Sequence, residues 1–303
     1  MKKIISSLLF LVFLSGFIFP SYSSELYFID AHSQVDHEID QNEIIQRMKA
    51  AGIQKSILST RRKRRAFDVA DWAESYPDKI IASVRVKSKH YSNNTKKFHK
   101  KIKKQIKSGG FNAMSEVLLY HAQKGNKADE VTIYPDDERI EFLLDKAKEN
   151  GWPFVMHIEF SSLSGDRRND FYSKMISFVS DNSDHPFAMI HMGQLKINEV
   201  ATLLKNHSNI YFLTSHSNPI AVLRSNQPWV NMFEGRELKS EWKSLMIKYP
   251  GRFIFALDNV WAEQWQDGYK EQVDVWRYAL KKLPEKVAHA VAHGNAERLW
   301  GLE

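Results

Sequence analysis

A chain of 303 residues, 43% of them hydrophobic and 26% charged, is long enough for one large core and too apolar for a disordered polymer. It has no cysteine, which excludes disulfides, a lipid-modified N-terminal cysteine and thiolate metal ligands; any metal must be held by His, Asp, Glu or weaker oxygen donors. The net charge of +7 gathers mainly at residues 61–65 and 96–107, with no interleaved aromatics or recognisable binding motif, so no nucleic-acid partner is expected.

Lys2 and Lys3 open the chain. An apolar run over residues 4–19 follows, broken only by Ser6, Ser7, Ser15 and Gly16, and then Pro20 and a small-residue stretch. This is the layout of a secretory signal peptide over residues 1–24, cleaved near Ser23 or Ser24. An uncleaved anchor is the alternative, but the run is short for a span of roughly 20 residues. The mature chain is therefore expected to be exported, periplasmic or secreted, without a stable membrane span, and to form one domain over residues 25–303.

Eight β-branched or aromatic runs follow in order: residues 26–32, 55–60, 80–86, 111–118, 153–158, 187–191, 209–215 and 252–258. Helical periodicity separates them at 43–51, 67–76, 138–150, 171–180, 198–204 and 239–248, with a final helix near 272–283. A further helix over 96–107 places Phe98, Ile102 and Ile106 on one face and lysines on the other; it reads as a solvated outer helix, with a contact to anionic lipid or polymer as the lesser alternative. Gly52, Gly151 and Gly251 each stand just before a strand, where a helix-ending glycine is expected. This alternation predicts an α/β fold, a (β/α)8 TIM barrel. An open doubly wound sheet is the runner-up, but the turn after the first run, Ser33-Gln34-Val35-Asp36, lacks the glycines such a fold favours.

In a barrel the chemistry collects at the carboxyl ends of the strands, and alternation decides which side chains point inward. Parity puts Phe28, Asp30, His32 and Gln34 on one face of strand one. The later strands offer Arg61, Ser83 and Arg85, Glu116, His157 and Glu159, His191, Thr214 and His216, and Asp258. A lone His at a strand end is usually an ordinary polar residue, but His32, His157, His191 and Asp258 converge if the barrel closes. Imidazole and carboxylate ligands suit zinc, with manganese or iron as alternatives, and such a site activates water while a carboxylate takes its proton.

Several segments together resemble the amidohydrolase superfamily, particularly its decarboxylase and lactonase-like branch. They are Ile29-Asp30-Ala31-His32, Met156-His157, His191-Met192-Gly193, Phe255-Ala256-Leu257-Asp258 and the ending Asn295-Ala296-Glu297-Arg298-Leu299-Trp300-Gly301-Leu302. The resemblance implies a TIM barrel, a divalent metal, usually zinc, and hydrolysis or non-oxidative decarboxylation of small organic molecules. Carried over, His32, His157 and His191 become metal positions, Asp258 a ligand or general base, and Glu116 a metal-bridging carboxylate; Asp258, His191 and Glu116 form the catalytic set. The departure is Gln34, which stands where the family has the second His of its strand-one pair. Three readings follow: a metal held by a reduced set, metal-free lactonase-like chemistry, or a degenerate periplasmic binding protein.

Arg61 and Arg85 suggest an anionic, carboxylate-bearing ester, lactone or amide, because arginine forks match carboxylate oxygens. Gln34 and His216 join them as expected substrate contacts. Trp229, Trp261 and Trp265 either wall a pocket or pack long loops. A homo-oligomer is compatible with the sequence.

Overall fold

The strands that form the ring in the computed structural model are Phe28–Val35, Ile53–Thr60, Ile80–Val84, Ala113–Met114 continued by Val117–His121, Phe154–Ile158, Phe187–Met189, Ile210–Leu213 and Phe253–Ile254. They count as strands one to eight, the fourth being interrupted at Glu116. Residues 26–302 are described, apart from Ser115 and Lys127; the expected signal peptide lies outside them. Among the described residues no helix is long and apolar enough to cross a membrane.

All eight strands pair in parallel with their neighbours, from the first to the start of the fourth and from the rest of the fourth to the eighth. Strand eight and its continuation then bond to strand one: Ala31 N–H donates to Phe255 O at 3.1 Å, Asp258 N–H to His32 O at 2.7 Å and Gln34 N–H to Asn259 O at 2.8 Å. An open sheet would leave this edge free, so the fold is a closed (β/α)8 barrel.

The helices form where their ends are satisfied. Asp40 and Asp137 accept from the backbone at the starts of Gln41–Ala51 and Glu138–Asn150, and Gly52 and Gly151 close them at φ 71° and 67°, where a side chain would be strained. Gly251 does not repeat this: the helix Ser240–Lys248 ends at Tyr249, and Gly251 lies in a 3-10 turn with Pro250. Periodicity did not resolve Glu285–His289 and Asn295–Trp300 as separate helices.

Inside the ring, small and branched side chains such as Ile29, Ala31, Ile57, Val155, Ala188 and Ile254 form one cluster. Outside it, Phe28, Phe154, Phe187 and Phe255 pack under the helices. The parity expected for strand one holds only in part. Its register against strand two shifts between Asp30 and Ser33. Phe28 consequently packs in the outer layer against Phe255, with the Arg277 guanidinium over its ring. Asp30 stays beneath the site, fully buried. Its carboxylate accepts from Ser33 Oγ (2.6 Å), Leu257 N (2.9 Å) and His32 N (3.3 Å), while burial pushes its pKa up to about 6.

Asp30→Ala would strand three buried donors at the seam. It should cost about 2–4 kcal/mol in urea unfolding, and Asp30→Asn, which keeps one acceptor, less than half of that. An unchanged midpoint in the alanine variant would remove the carboxylate from any role in closing the barrel.

His185 supplies a pH dependence away from the site. Its ring lies edge-on to Phe187, Nε2 is buried without a partner, and burial, then nearby Lys148, lowers its pKa from 6.5 to about 4. The folded chain therefore binds fewer protons than the unfolded chain between those values. This contribution to stability is complete above about pH 6.5 and is lost as pH falls towards 4. His185→Leu should flatten the stability slope in that window; chemical denaturation at several pH values gives both slopes, and identical slopes would contradict the assignment.

Candidate active site

The carboxyl ends of the strands bring His32, Gln34, Glu116, His157, Glu159, His191 and Asp258 together, all buried. Alternation accounts for His157, Glu159 and Asp258, which follow the inward Val155 and Ala256 by two or four residues, although Asp258 lies past the end of strand eight. The others arrive by irregularity. The shift in strand one turns His32 inward directly after Ala31, and Glu116 occupies the interruption of strand four. After strand six the chain winds left-handed through His191 (φ 53°), Met192, Gly193 and Gln194, and His216 (58°) and Asp258 (51°) adopt the same region. Non-glycine residues there cost on the order of 1–3 kcal/mol each and persist only where the surroundings over-determine them.

Asp258 stands between two imidazoles. His32 Nε2 is 3.3 Å from Oδ1 and His191 Nε2 is 3.4 Å from Oδ2. Burial opposes its charge, but His32 and then His191 hold its pKa well below the usual carboxylate range. His191 is oriented from behind by Ser215, whose Oγ lies 3.0 Å from Nδ1 and accepts from the His191 N–H. Burial and neighbouring His216 push the His191 pKa well down.

Glu116 is the second hub. His157 Nδ1 lies 2.5 Å from Oε1 and Lys87 Nζ 3.1 Å from Oε2. These cations, with His32, outweigh burial and hold Glu116 in its charged form. Gln34 joins the hubs: its Nε2 donates to Glu116 Oε2 at 3.1 Å and to Asp258 Oδ1 at 3.0 Å. A neutral amide thus sits between two carboxylates where the resemblance leads one to expect a second imidazole. Beyond His157, Glu159 accepts from Lys124 Nζ and from Ala122 N, both at 2.8 Å, and its Oε1 is 3.1 Å from His157 Nε2.

The expected substrate contacts divide. Arg61 reaches the mouth, half-buried, with Nη1 donating to Val260 O and its guanidinium 4.3 Å from the Trp261 ring; Arg62 lies over the same ring. Arg85 turns away, and its guanidinium donates to the carbonyls of Arg62, Arg64 and Lys87, so it ties the loop after strand two instead of facing the site. Gln34 spends its amide N–H groups on carboxylates. His216 packs against His191 and Trp229. Trp265 is packing, with Nε1 donating to Gln34 O, whereas Trp261 is exposed at the mouth.

Sequence reasoning missed Lys87, Lys124, His121 and Ser215. Lys87 shared the inward parity of Ser83 and Arg85 and could have been found by carrying the alternation two residues further. Lys124 and His121 come from a chain segment whose course the sequence did not reveal.

Two groups of side chains offer ligand atoms mutually within 4.8 Å: His191, His216 and Asp258, and His121, His157 and Glu159. Both ring nitrogens of His32 are buried without a hydrogen bond. His216 Nδ1 is likewise buried without a hydrogen bond, and imidazole nitrogens left unbonded around the Asp258 carboxylate suit a divalent cation. The second group suits one less well, because Lys124 already neutralises Glu159.

A family model described as amidohydrolase matches residues 92–302, more than two thirds of the chain. Among curated proteins none matches significantly. Solved structures share the fold at low identity. An uncharacterised TIM-barrel protein from Bordetella bronchiseptica is 18% identical with TM-score 0.61, over 86% of this chain and 82% of that one. A 5-carboxyvanillate decarboxylase from Novosphingobium aromaticivorans, complexed with manganese and a nitrobenzoic acid, is 13% identical with TM-score 0.55, over 91% and 96%. A zinc-bound amidohydrolase from Burkholderia multivorans is also 13% identical with TM-score 0.55, over 91% and 100%.

The Lys87–Glu116 pair can be tested by a thermodynamic cycle. Lys87→Met leaves a buried carboxylate short of its cation and should cost about 1–3 kcal/mol, and adding Glu116→Gln should recover part of it. Additive losses in the double variant would show that the two groups are not coupled.

Proposed function

The chain belongs to the amidohydrolase family of enzymes, which comprises hydrolases and decarboxylases, and from that premise we propose that it is an exported, metal-dependent hydrolase of a small anionic ester, lactone or amide. The observation that carries this reading is the buried His32, without a hydrogen bond at either nitrogen and with Nε2 3.3 Å from a charged Asp258 that also faces His191.

His191, His216 and Asp258, whose ligand atoms lie mutually within 4.8 Å, would hold the cation together with His32 beside Asp258, with Glu116 alongside. Zinc is the metal the donor set favours, and manganese is the alternative; the similar Burkholderia amidohydrolase holds zinc and the similar decarboxylase manganese. When bound, the cation supplies Lewis acidity and a water that is acidic at neutral pH. Asp258 is ionised and is the group positioned to accept a proton from an attacking water. His191, held neutral and oriented by Ser215, presents Nε2 towards the same carboxylate. Gln34 keeps Glu116 and Asp258 apart by giving each an N–H, which lets two buried negative charges stand close without sharing a proton. Lys87 and Arg61 bring positive charge to the mouth, where they would orient a substrate carboxylate. Trp261 offers a flat apolar wall beside Arg61. The N-terminal signal pattern supports export.

Purified chain should retain about one equivalent of zinc or manganese by plasma mass spectrometry, and His32→Ala with Asp258→Asn should lose it. Against carboxylate-bearing lactones and amides, Asp258→Asn should reduce turnover by about 10²–10⁴-fold while the fold is kept. Wild-type chain that takes up no metal from excess zinc or manganese yet still turns over a lactone would move the reading to metal-free hydrolysis. Binding without any turnover would leave a binding protein.

A further inference from the structure

The helix Lys96–Lys107 connects strands three and four on the outer wall of the barrel. Phe98, Ile102 and Gln105 bury its inner side. Seven of its twelve residues are lysine, none is acidic, and all seven lysines are exposed. The whole chain has 43 basic and 36 acidic residues, so these seven lysines equal its entire net charge and the remainder balances.

The stripe is kept against local energetics. Lys96, Lys100 and Lys104, and likewise Lys97 and Lys101, stand four residues apart, where like charges repel. Lys96 and Lys97 occupy the first turn, at the positive end of the helix dipole. The helices Gln41–Ala51, Glu138–Asn150, Gly165–Asp181 and Ile197–Asn206 all place an acid there. Lysines elsewhere, such as Lys146, Lys174, Lys270 and Lys282, find carboxylates, whereas among the described residues none of the seven makes an ion pair. A solvated outer face gains nothing from such segregation; contact with a negatively charged plane does.

We propose that this helix is a docking face for an anionic phospholipid bilayer. The contact is electrostatic and without insertion, because the apolar side of the helix is already spent on the barrel wall. The shape and chemistry favour lipid headgroups over nucleic acid. The face is a convex helix surface, its cations are lysine point charges without the bidentate fork of arginine, and its one phenylalanine is buried and offers no platform to a base.

The test is co-sedimentation of the intact chain with vesicles, at low and high salt. Binding is expected to mixed phosphatidylglycerol/phosphatidylcholine vesicles and to be lost in high salt or with pure phosphatidylcholine. Lys96→Gln/Lys100→Gln/Lys107→Gln should weaken it by about a hundredfold, with a melting temperature equal to or above the wild type because repulsion is relieved. Absence of binding to anionic vesicles, equal binding to neutral ones, or a triple variant that is folded and binds undiminished would each overturn the proposal. Tighter binding to a short DNA duplex than to anionic vesicles would assign the stripe to a polyanion and overturn it as well.

Discussion

The seam between strand eight and strand one governs this molecule. Backbone bonds from Ala31, Gln34 and Asp258 close the ring. The Asp30 carboxylate, buried beneath them, takes N–H groups from Leu257 and His32 and the hydroxyl of Ser33, whose oxygen in turn accepts from Asn259 N. One carboxylate therefore fixes His32 on one strand and, through Leu257, the adjacent Asp258 on the other. The 3.3 Å approach of His32 to Asp258 is a consequence of how the barrel is closed.

Around that seam the site is an alternation of charge. Asp258, Glu116 and Glu159 are each held ionised, by His32, by Lys87 and His157, and by His157 and Lys124. Burial works against every one of these charges, so each depends on its neighbours, and none can be treated as an independent titrating group. The two histidines nearest the carboxylates, His32 and His157, are pushed towards protonation, whereas His191 and His216, which face one another, are pushed away from it. Environment has divided four chemically identical side chains into two pairs. Gln34 is the neutral part of the same arrangement, and where the resemblance leads one to expect an imidazole it places an N–H donor between two carboxylates.

Backbone conformation is the second constraint. His191, Met192, Gln194, His216 and Asp258 are non-glycine residues in the left-handed region, all at the carboxyl ends of strands six to eight. The rigid barrel below and the contacts of Ser215 and Trp229 around the rings hold them there. This concentration of unfavourable backbone at one end of the barrel coincides with the cluster of ionisable groups, as expected where geometry serves chemistry over stability.

The sequence by itself determined the architecture and half of the site. Strand and helix alternation is written in local hydropathy, and the caps Asp40, Asp137, Gly52 and Gly151 are local too, so both survive translation into three dimensions. His157 follows from parity, because in a regular strand the side chain's direction depends only on counting, and Asp258 keeps that parity beyond the end of its strand. Counting fails wherever the strand is irregular. The shift after Asp30 sends Asp30 beneath the site and His32 into it, Glu116 works from a break, and Arg85, inward by parity, turns its guanidinium to the carbonyls of a neighbouring loop. Which partner each polar group meets, as Gln34 meets two carboxylates and Lys87 meets Glu116, was decided only by the tertiary structure. Those pairs lie 29 to 224 residues apart in the chain, and nothing in a local window specifies a contact made by closing a ring.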